Sequence, residues 1–207
     1  LDPRRRGHSP GLAVRPAGEV HDRIAPVQRR HRRRPVEHPP GVGIDVAEAL
    51  KQKEETTSLA GLKGYKEIAP DEMIGVDCDI LLPSALENAI TMKNVGQVKA
   101  KIIAELANGP TTPGADRVFE DEGVFLIPDI LANAGGVTVS YYEWVQDQNS
   151  FFWSERQINE TLEQTINTAF NSVHEMSQHY NTDMRTGAYI LAVGRVVEAT
   201  RVRGIFP

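Results

Sequence analysis

Three short apolar runs constrain this chain most, each stopped by a proline or by an Asn-Gly-Pro turn. They are Cys78-Asp-Ile-Leu-Leu-Pro83, Lys101-Ile-Ile-Ala-Glu-Leu-Ala107 and Val124-Phe-Leu-Ile-Pro128. Runs this short and this continuous suit strands buried on both faces, not the alternating pattern of a sheet with one wet face. Between the second and third runs, Thr112 to Glu122 reads as a helix with Pro113 near its start. Ile90 to Ala100, between the first and second, is loosely helical. Short buried strands alternating with helices make a parallel α/β sheet.

The flanking sequence supplies helices. Asp45 is a plausible N-cap for a short helix through Lys53, and Asp71 to Gly75 reads as another behind Pro70. Gly135 to Gln148 places Val137, Ser140, Tyr141 and Trp144 on one side at helical spacing. Ser154-Glu-Arg-Gln157 has capping-box spacing. After it, Ile158, Leu162, Ile166, Ala169, Phe170, Val173 and Met176 form one apolar stripe. Thr186 to Arg203 reads as the last helix, with Ile190, Val193, Val197 and Thr200 on one face and Gly204 as its stop.

Residues 1–41 are of a different character. They hold ten Arg against four Asp or Glu, a charge of +6, while the other 166 residues carry 13 Lys or Arg against 24 acids, a charge of -11. They show neither strand nor helix periodicity and few large apolar residues. Such a segment cannot bury enough surface to offset the entropy of ordering. The expectation is a disordered or non-native segment over 1–41, and an incomplete domain with C-terminal helices over 42–207. Arg29, Arg30, Arg32, Arg33 and Arg34 also read as a nucleic-acid arm, but a net charge of -5 argues against that partner. The abrupt change near Gly41 also fits a shifted reading frame. No apolar stretch approaches the ~18 residues of a membrane span. Cys78 is the only cysteine, which fits a reducing cytoplasm. His174 and His179 are five residues apart, which does not suit a metal pair on one helical face.

A phosphate-cradling loop needs a strand, a tight turn and a helix N-terminus. Gly41-Val42-Gly43 begins one, but Pro39 and Pro40 precede it where a strand should be, so it reads as chance. The chemistry-bearing groups lie instead at the ends of the three apolar runs. Ligands of parallel sheets bind outside the carboxyl ends of strands. Pro83-Ser84-Ala85, Asn108-Gly109-Pro110 and Pro128 through Ser140 concentrate amides, hydroxyls and glycines there. Such groups hydrogen-bond a ribose or a carboxamide without bringing charge. Composition alone reads Asn108 and Asn133 as ordinary turn residues.

In order and spacing, CDILLPSALENAIT, AELANGPTTPGAD and IPDILANAGGVTVSYYEW resemble the glutamate dehydrogenase family. The resemblance runs from about Val42 to Pro207. It implies an α/β fold: a partial Rossmann-like parallel sheet with helices on both faces, followed by C-terminal helices. It implies an oxidoreductase that deaminates L-glutamate to 2-oxoglutarate and ammonia with NAD or NADP, and that is a homo-oligomer at full length. By position, Pro83, Ser84 and Ala85 would border the adenosine part of the cofactor. Asn108 would stand near the nicotinamide ribose and Asn133 near the nicotinamide carboxamide. Val137 would line the substrate pocket, and Ser140 would bind the side-chain carboxylate of glutamate. A helical serine bonding back to its own backbone is the plainer account of Ser140.

The departures are as informative. No lysine stands in the glycine-rich context that the family uses for proton handling, and the first strand with its glycine fingerprint is missing. Leu106 stands where the resemblance implies glycine. The isolated chain is therefore expected to be inactive, and the edge beside its first apolar strand to be open. A non-catalytic interaction or assembly module remains the rival reading.

Overall fold

The computed structural model describes residues 24–27, 36–37, 44–69 and 72–204. In chain order the strands are β1 (Ile24–Val27), β2 (Val36–Glu37), β3 (Lys66–Glu67), β4 (Ile80–Pro83), β5 (Ile102–Ala104) and β6 (Phe125–Ile127). The helices are α1 (Val46–Thr56), α2 (Pro113–Asp121), α3 (Asp129–Ala132), α4 (Ala134–Asn149), α5 (Glu155–Tyr180) and α6 (Met184–Arg203). Four strands make one parallel sheet in the order β1-β4-β5-β6, and β2 and β3 form a small antiparallel pair. All three apolar runs are strands, and Pro113 and Gly204 bound their helices as expected.

The register explains why those runs are apolar throughout. Leu81 pairs with Ile103, and Ile103 with Leu126, so these three share one face. Leu81 and Ile103 are fully buried there against Ala115 and Phe119 of α2, with Ile74, Ile90 and Val95 completing the cluster. Ile127 points the other way. It packs on Leu131, Val173, Met184 and Ala188 from α3, α5 and α6. Helices thus flank both faces of the sheet. On the second face Ile80, Leu82 and Ile102 are only half-buried. On β6 the C-terminal helices pack on Ile127, while Phe125 on the same face stays exposed.

Helix starts follow the caps. Asp45 accepts a hydrogen bond from the Glu48 N–H at 3.0 Å. Ser154 and Gln157 make the reciprocal capping box. Asp183 opens α6 by accepting from the Thr186 N–H at 2.9 Å.

Three features differ from expectation. Ile90 to Ala100 is an irregular segment with a single 3-10 turn at Val95–Gln97. Asn94 accepts from the Thr91 N–H at 2.7 Å and donates to the Ala89 carbonyl at 2.9 Å, so side chains take the local backbone partners. In α6 the inward residues are Met184, Gly187, Ala188 and Leu191, whereas Val193 and Val197 are exposed. A close helix contact selects small residues, and the sequence pattern had favoured the large ones. Beside β4 the edge carries β1. Within 1–41 only β1 and the two residues of β2 are described, and Gly41-Val42-Gly43 lies outside the described residues.

Two glycines of α6 test the packing. A Cβ on Gly187 would meet the Ser177 backbone nitrogen at 3.0 Å, while one on Gly194 would meet nothing within 4 Å. Gly187→Ala should destabilise the chain by about 1–3 kcal/mol through overpacking. Gly194→Ala should stabilise it by up to about 1 kcal/mol through helix propensity. Urea unfolding of both variants reads the sign, and equal effects would contradict this packing.

Candidate functional site

The loops after β4 and β5 are laced together at the carboxyl end of the sheet. The Pro83 carbonyl accepts from the Leu106 N–H at 3.1 Å and the Ala107 N–H at 2.9 Å. The Asn88 N–H donates to the Gly109 carbonyl and the Ile90 N–H to the Pro110 carbonyl, both at 2.8 Å. Gly109 has φ +52°, a left-handed conformation that glycine adopts freely. These bonds hold the turn that carries Asn108.

Asn133, at the junction of α3 and α4, donates from Nδ2 to Asn108 Oδ1 at 2.6 Å. Two expected site residues, 25 apart in sequence, thus meet directly. Pro83 is buried, Ala85 half-buried, and the Ser84 hydroxyl donates to the Leu82 carbonyl at 2.9 Å. Val137 and Ser140 lie farther along α4 on the exposed side, Val137 being 70% exposed. Ser140 Oγ donates to the Gly136 carbonyl at 3.1 Å, the backbone bond that its plainer account anticipated. At Gly135 and Gly136 a Cβ would meet nothing within 4 Å, so the backbone there is open to a flat ligand. Leu106 is exposed between buried Glu105 and buried Ala107, so it crowds no core.

Beneath the amide pair lies an ionic cluster that the sequence reading missed. Arg185 donates from Nη2 to Glu105 Oε2 at 2.9 Å, from Nε to Asp116 Oδ2 at 2.7 Å and from Nη1 to Asp129 Oδ1 at 3.3 Å. Glu105 is fully buried. Its Oε2 also accepts from the Asp129 N–H at 2.9 Å. Asp129 Oδ2 accepts from the Gly109 N–H at 2.8 Å, and its carbonyl accepts from the Asn133 N–H at 3.1 Å. Burial works against the Arg185 charge. The hydrogen bond with Asp116 and the fields of Glu105 and Asp116 outweigh that cost and hold the guanidinium above its ordinary pKa. One signal was available: an acid directly after the apolar strand of KIIAE demands a partner once buried. The partner's identity, 80 residues away, was not readable.

Residues 39–204 match the family model described as Glutamate/Leucine/Phenylalanine/Valine dehydrogenase. The chain belongs to that family. Among its relatives is a glutamate dehydrogenase of Thermotoga maritima, 50% identical over 165 residues, which are 80% of this chain and 40% of that protein. An NAD-specific glutamate dehydrogenase of Staphylococcus aureus is 44% identical over 163 residues, 78% of this chain and 39% of that protein. The fold superposes on the crystal structure of hetero-hexameric glutamate dehydrogenase from Thermus thermophilus in its leucine-bound form. There the TM-score is 0.75 at 37% identity, covering 83% of this chain and 40% of that one. This family member therefore spans about two fifths of the length of the relatives it matches.

In this dehydrogenase-family chain the cap of α6 sets where Arg185 begins. Asp183 accepts from the Thr186 N–H at 2.9 Å and the Thr186 hydroxyl at 2.6 Å. Burial alone would raise its pKa, but these bonds prevail and hold it below the ordinary 3.8. A depressed carboxylate contributes stability above its unfolded pKa and loses it as pH falls through the folded value. Asp183→Asn keeps the cap geometry and removes the charge. The variant should be less stable than the parent chain at pH 7, and the gap should narrow as pH falls below 3.8. Thermal unfolding across that range checks this, and a gap independent of pH would refute it.

Proposed function

We propose that this chain forms the cofactor-facing wall, and part of the substrate wall, of an NAD(P)-dependent glutamate dehydrogenase. The reaction is oxidative deamination: L-glutamate, water and NAD or NADP give 2-oxoglutarate, ammonia and the reduced cofactor. When bound, the cofactor supplies the hydride acceptor for the substrate Cα. The observation that carries this reading is the Asn108–Asn133 pair, held at 2.6 Å at the carboxyl ends of β5 and β6. Each carboxamide offers both donors and an acceptor. A neutral pair of that kind fits the ribose and carboxamide end of a dinucleotide, and the open backbone at Gly135 and Gly136 admits a planar ring. Pro83, Ser84 and Ala85 border the adenosine side.

Val137 and Ser140 face the substrate on this reading. A site for a second carboxylate needs a donor where a leucine site needs an apolar wall. Ser140 has one hydroxyl proton, given to the Gly136 carbonyl. Binding the carboxylate requires that proton to rotate outward, which an exposed hydroxyl does at low cost.

The lysines of this chain offer no proton-handling motif, and orientation supplies much of what such a site contributes. The chain alone is thus a binding wall without turnover. Cytoplasmic residence fits the buried single cysteine, and among the described residues no helix is long and apolar enough to cross a membrane. Assembly into an oligomer gives a use to Tyr141, Trp144, Phe151 and Phe152, which are 58–72% exposed. Those aromatics also favour the second reading, a module that assembles without chemistry.

Purified chain should reduce neither NAD nor NADP in the presence of glutamate. A fluorescence titration with NADH and NADPH should saturate in the micromolar range with at least one of them. Asn108→Ala should weaken that binding about tenfold, as expected for one lost hydrogen-bonding amide. Turnover by the pure chain, or no saturation with either nucleotide, would sink the binding-wall reading.

A further inference from the structure

We infer that Arg185 is a positioning residue which, acting through Asp129, clasps the Asn108-Gly109 turn, aims Asn108 at Asn133 and protects Asn108 from deamidation. Its consequence for cofactor binding rests on the function proposed above; the clasp itself rests on geometry alone.

Every link is a hydrogen bond. Arg185 Nη1 reaches Asp129 Oδ1 at 3.3 Å, and Nη2 reaches Glu105 Oε2 at 2.9 Å. Glu105 Oε2 in turn takes the Asp129 N–H at 2.9 Å, so Asp129 is held by side chain and backbone together. Asp129 then bonds the backbone at each amide residue, after Asn108 and at Asn133. Its Oδ2 takes the Gly109 N–H at 2.8 Å, and its carbonyl takes the Asn133 N–H at 3.1 Å. One guanidinium therefore holds, through Asp129, the backbone of the turn that carries Asn108, which it does not touch. Nε also reaches Asp116 Oδ2 at 2.7 Å, and among the described residues no other cation makes an ion pair with Glu105, Asp116 or Asp129.

Asn-Gly is chemically unstable because glycine puts no side chain in the way of ring closure. The Gly109 nitrogen attacks Asn108 Cγ, and its proton passes to solvent base. The new N–Cγ bond closes a succinimide, and Nδ2 takes a proton from solvent and leaves as ammonia. Water then opens the ring to aspartate or isoaspartate. Asn108 and Gly109 are both exposed, so solvent access does not prevent this. The clasp does. A carboxylate bound to the Gly109 N–H opposes formation of the nitrogen anion. The bond from Asn133 to Asn108 Oδ1 fixes the carboxamide that would have to rotate.

The test compares the 207-residue chain with Arg185→Met and Arg185→Lys. Lysine retains the charge but cannot span three carboxylates as the guanidinium fork does. Deamidation is followed by peptide mapping with mass spectrometry during incubation in neutral buffer. Asn149, exposed and followed by Ser150, is the internal control for general loosening. The expected result is a rise of about tenfold at Asn108 in Arg185→Met, from loss of the charge-assisted restraint. A smaller rise is expected in Arg185→Lys, with Asn149 unchanged in both. If Arg185→Met does not fold, Arg185→Lys decides. An Asn108 rate equal to that of the parent chain, or one that rises in step with Asn149, overturns the clasp. A parallel NADH titration separates the two ideas. Parent chain that binds no nucleotide removes the cofactor reading, while the Asn108 to Asn149 ratio still judges the clasp.

Discussion

Arg185 joins three segments of chain that lie 56, 69 and 80 residues away from it. Through Glu105 it grips the end of β5, through Asp116 the first turn of α2, and through Asp129 the start of α3. Those three elements come from both faces and the end of the sheet. A fully buried carboxylate such as Glu105 is tolerable only with a partner, and removing one member of a buried pair costs about 3–5 kcal/mol. Among the described residues Glu105 Oε1 has no hydrogen-bond partner, which makes the Oε2 contacts with Arg185 and Asp129 more consequential. The site stands on this cluster. Asn108 and Asn133 are exposed or half-exposed, and neither would keep its orientation by packing.

The cluster also separates charge from recognition. Three carboxylates and one guanidinium leave a formal excess of two negative charges beneath the strand ends. The groups presented above it are neutral: two carboxamides, two glycines and backbone. Such a surface discourages an anion from settling directly over the cluster and favours a ligand end that is neutral or positive. That matches the nicotinamide end of an oxidised dinucleotide in the function proposed here. It also lets a chain of net charge -5 present uncharged groups at its strand ends.

Much of the fold was legible because it rests on local signals. Proline-stopped apolar runs gave β4, β5 and β6, and side-chain caps at Asp45 and Ser154 gave the starts of α1 and α5. Local signals misled where local chemistry was ambiguous. Thr91 and Asn94 offered the backbone partners other than a helix, and the periodicity of Ile90 to Ala100 did not reveal it. Asn108 and Asn133 were singled out only by resemblance, since composition reads both as turn residues, and their direct bond was not anticipated. The Arg185 cluster was not anticipated at all. Its members are ordinary surface residue types, and what makes them special is burial and long-range geometry.

The orientation of α6 follows from the same constraint and explains its outer surface. Arg185 must reach inward one residue after Met184, which is itself buried against Leu131 and Val173. One turn on, Gly187 passes the Ser177 backbone so closely that a Cβ would stand 3.0 Å from its nitrogen. These two contacts fix the rotation of the helix about its axis. With Met184, Gly187, Ala188 and Leu191 turned inward, Val193, Val196 and Val197 must turn outward, and they are 43–66% exposed. Helical geometry allows no other arrangement once the first turn is set. A helix normally buries its largest apolar residues. Here the requirement to deliver one cation to three carboxylates overrides that preference, and an exposed valine stripe is the geometric result.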